Sequence, residues 1–213
     1  MSALLGEISI NLQQGKAKVV KELVQKAIDE GMDAKTILEE GLLAGMAIIG
    51  GKFKNNEVYV PEVLIAARAM NAGSELLKPL LISGGVKAKG TVVLGTVKGD
   101  LHDIGKNLVR MMMEGKGLEV LDIGVDVPAE KFIEKAKETG AQIIACSALL
   151  TTTMPEIKTI VEMVEKSGIR DNVTIMIGGA PVTQAYCTQV RADIYTSDAA
   201  SAAEEAAKVC AAS

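Results

Sequence analysis

Downstream of residue 90, five short aliphatic runs alternate with stretches of helical periodicity, and this alternation restricts the fold more than any other feature of the chain. The runs are TVVLGTV (91–97), LEVLDIG (118–124), AQIIACSAL (141–149), VTIMIGGA (173–180) and ADIYT (192–196). Around them, residues 104–116, 129–139, 154–167 and 199–212 carry helical spacing, with a shorter segment near 183–189. The first four runs are continuously apolar, as strands covered on both faces are. Five such units predict an α/β fold built on a doubly wound parallel five-stranded sheet. Ligands of such sheets bind beyond the carboxyl ends of the strands, which points to residues 95–105, 147–153 and 178–183.

The rhythm upstream is different. Val19, Val20, Leu23, Val24 and Ala27, then Ile37, Leu38, Leu42, Met46 and Ile49, recur at three- and four-residue spacing. Breaks at Gly15, Gly31 to Asp33, Asn55 to Tyr59 and ISGGVKAKG (82–90) divide this half into four helices, with Pro61 tolerated in the first turn of the fourth. The prediction is a helical bundle domain over 1–86 and a Rossmann-like, flavodoxin-like domain over 90–213. With 48% hydrophobic residues but only 2% aromatic ones, the cores must be aliphatic. A net charge of -4 without a basic block argues against a nucleic-acid partner. Cys146, Cys187 and Cys210 are odd in number and never in CxxC spacing, which disfavours disulfides and zinc. The N-terminal stretch lacks a signal-peptide pattern and no apolar run approaches the roughly 20 residues that span a bilayer, so the expectation is a soluble cytoplasmic protein without a membrane partner.

The loop after the first predicted strand, GTVKGDLHDIGKN, holds the only histidine. It is not a phosphate cradle: five residues separate Gly99 from Gly105, and Lys106 is followed by Asn107 rather than Ser or Thr. The spacing of Gly95, Gly99 and Gly105 also departs from GxGxxG. What the loop does offer is Asp100-x-His102. A carboxylate two positions before a histidine can take the proton of one ring nitrogen and leave the other free for a metal. A histidine that caps a helix or satisfies a loop would look the same. A lone histidine cannot hold free zinc, which wants four ligands, so any metal must arrive largely coordinated. Cobalt in a corrin is one such species.

Asp100-x-His102-x-x-Gly105 is followed after 41 residues by Ser147-x-Leu149, and after 28 more by Gly178-Gly179. These three blocks resemble the signature of the cobalamin-binding family that holds its cofactor base-off and histidine-on. FKNNEVYVPEVLIAARAM (53–70) resembles the helical cap of the same family. Together the two halves look like the corrinoid proteins of methylamine, methanol, betaine and methoxyaromatic methyltransferase systems, and like the cobalamin module of methionine synthase.

The resemblance implies roles residue by residue. His102 would be the lower axial ligand of cobalt, Asp100 would bond its other nitrogen, and Ser147 would extend that relay. Gly99, Asp103, Ile104 and Gly105 of the first loop, Leu149 and Thr151 of the second, Gly178, Gly179 and Ala180 of the third, and Tyr195 and Asp198 after the last strand would surround the cofactor and its displaced nucleotide tail. Asp103 also reads as an ordinary first-turn residue of a helix. Val60, Leu64 and Met70 would cover the upper corrin face, or simply form bundle core. The implied function is a methyl carrier of one-carbon metabolism. It would accept a methyl group on cobalt(I) from a substrate-specific methyltransferase and pass it to a second one, with tetrahydrofolate or a thiol as acceptor. A reductive activase would restore oxidised cobalt. The chain alone would not be catalytic, and a cobalamin-dependent sensor or regulatory protein is the alternative.

Overall fold

A computed structural model describes residues 2–212. The chain forms two compact units: one comprises the residues up to Ala88 with Gly115–Gly117, the other Lys89–Glu114 with the chain from Leu118 onward.

The first unit is helical. Helix α1 spans Ala3–Gln13, α2 Ala17–Asp29 and α5 Val60–Ser83. Between α2 and α5 lies one continuous rod in which α3 (Ala34–Thr36) passes through a π-helical stretch, Ile37–Leu43, into α4 (Ala44–Lys54). The π turn accounts for a five-residue step in the pattern: Ile37 and Leu42 are fully buried, whereas Leu38 is only partly so. Glycines let this rod approach α1, since a Cβ on Gly45 would stand 3.1 Å from the Ser9 carbonyl oxygen. Asp33 caps the rod by accepting from the Thr36 N–H at 2.9 Å. Of the three residues expected to cover a corrin, Met70 is buried among the helices, Val60 is half-buried and Leu64 is exposed.

The second unit is the doubly wound α/β domain. Strands β1 (Thr91–Thr96), β2 (Glu119–Asp122), β3 (Ile143–Ser147), β4 (Thr174–Gly178) and β5 (Ile194–Tyr195) form one parallel sheet in the order β2-β1-β3-β4-β5. Helices α6 (Ile104–Glu114), α7 (Ala129–Thr139), α8 (Pro155–Lys166), α9 (Gln184–Val190) and α10 (Ala199–Ala212) connect or follow the strands. Strands β2 to β5 are shorter than their aliphatic runs, because residues such as Ala148, Leu149, Gly179 and Ala180 leave the ladder to form loops at its carboxyl end.

Register divides the strand residues between the two faces. Val93, Ile144 and Ile175 lie side by side and join Phe132, Ile157 and Val161 of α7 and α8 in a closed core. Leu94, Ala145 and Met176 lie side by side on the other face, the side on which α6 and α10 pack against each other. The order of the strands reverses direction between β1 and β3, so the loops after these two strands diverge there and open a crevice.

Candidate cofactor site

Asp100 organises the crevice. It sits in the turn after β1, is fully buried, and receives five hydrogen bonds. Its Oδ1 accepts from the His102 backbone N–H at 3.1 Å and from the His102 ring Nδ1 at 2.9 Å. Its Oδ2 accepts from the backbone N–H of Leu149 at 2.7 Å and of Leu150 at 3.2 Å, and from the Thr153 hydroxyl at 2.8 Å. Burial opposes the charge, but the donors from Leu149, His102 and Thr153 outweigh it and hold the carboxyl well below the usual carboxylate range. An ionised acceptor at Nδ1 fixes that nitrogen as the protonated one. The lone pair therefore lies on Nε2, which takes no hydrogen bond among the described residues, and the side chain is 52% exposed.

The loop bearing His102 is braced from three sides. The fully buried Thr96 donates its hydroxyl to the His102 carbonyl at 2.8 Å. Asp126, after β2, accepts from the Gly99 N–H at 2.7 Å and donates its own N–H to the Asp100 carbonyl at 2.9 Å. Asp126 holds φ at 53°, a left-handed conformation uncommon outside glycine and tolerated best by Asn and Asp. The third brace is the β3–α8 loop, through the Leu149, Leu150 and Thr153 donors. Gly179 shapes the neighbouring loop: at φ 131°, a Cβ there would collide with the Ala148 carbonyl oxygen.

Beside His102 a cavity of about 530 Å³ runs between the Leu94 face of the sheet and helices α6 and α10, within the range of small-molecule sites. Its depth comes from small residues: Ala145 and Gly178 on the strands and Ala199 and Ala202 on α10. Lys106, only 4% exposed, also lines it, with its ammonium paired to Asp122 and 3.2 Å from the Asn107 side-chain oxygen. Arg110 approaches the same Asp122 oxygen at 3.5 Å. Leu101 and Ile104 stand 72% and 77% exposed next to the histidine, an apolar rim that water does not favour.

Most of the residues singled out by sequence gather here. His102, Asp103, Ile104, Gly105, Ser147, Leu149, Gly178, Gly179, Ala180, Tyr195 and Asp198 all line the cavity. Asp103 immediately precedes α6 and accepts from the Asn107 side chain at 3.1 Å, and Asp198 caps α10 through the Ser201 N–H at 2.8 Å. Gly99 and Thr151 do not reach the cavity; Gly99 serves the loop brace and Thr151 is exposed. The hydroxyl on Asp100 is that of Thr153, not of Ser147, which makes no hydrogen bond to Asp100 among the described residues. Sequence reasoning also missed Lys106, Asp122 and Asp126. Met113 is fully buried and also lines the cavity. Cys146 belongs to the core on the opposite face, where burial pushes its thiol up to about 12.

Among the described residues no three His, Cys, Asp or Glu side chains gather to hold a metal ion. The chain offers one oriented imidazole above a deep, largely apolar cavity. This donor set fits a metal that brings its other ligands in a macrocycle with an appended tail, and it does not fit a bare ion. No described helix is long and apolar enough to cross a membrane.

Residues 90–208 match the family model of the B12 binding domain, and residues 4–78 match a second model with the same description. The chain is 44% identical over 209 residues to dimethylamine corrinoid protein 1 of Methanosarcina acetivorans, covering 98% of each. It is 39% identical over 210 residues to a corrinoid protein of Desulfitobacterium hafniense, covering 97% of each. In structure it resembles a chain of the methanol:cobalamin methyltransferase complex of Methanosarcina barkeri, with a TM-score of 0.90 at 32% identity over 99% of this chain and 80% of that one. A cobalamin-binding protein of Desulfitobacterium hafniense aligns with a TM-score of 0.78 at 29% identity, covering 96% of this chain and 98% of its own.

Proposed function

Because the chain belongs to the B12-binding corrinoid-protein family, we propose that it is a methyl-carrying corrinoid protein of a methyltransferase system. The bound corrinoid supplies a cobalt centre that takes up and gives away a methyl group. Everything else falls to the chain's own residues. His102 presents Nε2 as the lower ligand, histidine-on, in place of the cofactor's own base. Asp100 fixes the tautomer and holds the Nδ1 proton, and the Leu149, Leu150 and Thr153 donors fix Asp100 in turn. Gly105, Ser147, Gly178, Gly179, Ala180 and Tyr195 surround the displaced tail. Residues 1–86 form the helical bundle domain, and residues 90–213 form the domain that holds the cofactor.

A methyl carrier takes its group from one protein and hands it to another. The chain therefore works with a substrate-specific methyltransferase, a second methyltransferase acting on tetrahydrofolate or a thiol, and a reductive activase. The single observation that carries this reading is the lone imidazole held through Nδ1 by a buried carboxylate, with Nε2 left free beside the cavity.

Reconstitution with hydroxocobalamin tests it. The wild-type chain is expected to retain the cofactor with a histidine-on visible spectrum. His102→Ala is expected to keep it through the tail cavity while losing that signature. An unchanged spectrum in His102→Ala would falsify the assignment of the ligand.

A further inference from the structure

The cavity is polar at one level and apolar at the next. Thr96, Ser147 and Gly178 form one row across β1, β3 and β4, and Leu94, Ala145 and Met176 form the row two residues deeper, about 7 Å away. In the upper row Thr96 spends its hydroxyl on the His102 carbonyl, which leaves Ser147 as the hydroxyl available there. In the lower row the strand residues offer no polar side chain, and their backbone groups are committed to the sheet ladder. The facing wall is Leu108 and Met113 of α6 with Ala199 and Ala202 of α10. Lys106 is the charged group buried among them, and its ammonium is already engaged by Asp122 and Asn107.

We propose that this buried end selects a corrinoid whose nucleotide tail ends in a benzenoid base, a benzimidazole or a phenol, over one that ends in a purine. The inference rests on the reading that the chain binds a corrinoid with its tail in this cavity. A benzimidazole carries both nitrogens on its five-membered ring, so its polar edge meets the Ser147 row while its hydrocarbon ring fills the row below. A phenolic base likewise presents a hydrocarbon ring to the deep end. Adenine carries two ring nitrogens and an exocyclic amino group on the six-membered ring, and these would enter the Leu94, Ala145 and Met176 row without partners. Burying such groups unpaired weakens binding by about tenfold or more.

The experiment titrates the full-length apo chain with three corrinoids and reads dissociation constants from visible absorbance. Cobalamin carries a dimethylbenzimidazole base, pseudocobalamin carries adenine on the same corrin, and cobinamide lacks the tail. The proposal expects cobalamin to bind at least about tenfold more tightly than pseudocobalamin, and more tightly than cobinamide. Equal affinity for cobalamin and pseudocobalamin, both above cobinamide, overturns the selectivity and leaves the corrinoid reading intact. Equal affinity for cobalamin and cobinamide overturns it as well, since the tail then makes no use of the cavity. Failure to bind any of the three overturns the corrinoid reading itself.

Discussion

The two faces of the sheet are made from alternate residues of the same strands, yet they are finished differently. On the α7 and α8 side, Val93, Ile144 and Ile175 meet Phe132, Ile157 and Val161 in a core of large side chains, all 2% exposed or less. On the α6 and α10 side the matching positions are Leu94, Ala145 and Met176, and the covering helix brings Ala199 and Ala202. One face is filled and the other is kept hollow. Each strand thus serves stability with one alternating set of positions and the site with the other, and the two roles are separable by mutation.

The largest effect should come from hollowing the filled face. Phe132→Ala removes a fully buried ring and is expected to cost about 3–5 kcal/mol of unfolding free energy, measured by urea denaturation, while leaving the spectrum of any protein that remains folded unchanged. Asp100→Ala comes next, at about 2–4 kcal/mol, because it strands the backbone donors of Leu149, Leu150 and His102. Unlike Phe132→Ala, it should also abolish the histidine-on spectrum, since the ring loses the group that orients it. If both variants lost stability and neither changed the spectrum, the separation of roles would fail.

Thr153→Val removes one hydroxyl from the buried carboxylate and keeps the side-chain shape. A loss of about 1.5 kcal/mol is expected, whereas Ser147→Ala should stay within about 0.5 kcal/mol of wild type. The pair measures which hydroxyl supports Asp100, and the reverse order of effects would reinstate the Ser147 relay.

These contrasts also explain what the sequence could and could not disclose. The Asp100–His102 bond spans two residues, so a turn at a strand's end was enough to foresee it. The Asp100–Thr153 bond spans 53 residues and depends on how β1 and β3 register and how the second loop curls. Ser147 ends β3 and Thr153 lies in the loop after it, and only that curl chooses between them. Asp126 was equally hidden, because its two bonds join the loops after β1 and β2. The parallel five-stranded sheet followed from the alternation of runs and helices, but a continuously apolar run conceals which face each residue takes. The hollow was therefore unreadable, although the alanine-rich α10 was its one visible trace. In the bundle, the five-residue step from Ile37 to Leu42 was the trace of the π turn, and an ideal helical period hides it.

The smallest expected change in stability is also the sharpest test of the comparison. Ala202→Leu places four-carbon bulk where α10 leaves the cavity open, so it buries apolar surface without displacing a packed neighbour. Stability should hold or rise by about 0.5 kcal/mol, the usual sign for filling a cavity. Affinity for cobalamin should fall, because the tail and the new side chain compete for one volume, while affinity for cobinamide should not change. Phe132→Ala then lowers stability while Ala202→Leu holds or raises it, and only the second moves cofactor affinity. A leucine that destabilised the chain as an overpacked core residue does, by about 1–3 kcal/mol, would mean that the α6 and α10 face closes in solution like its counterpart. The hollow would then be no site, and the distinction between the two faces would collapse.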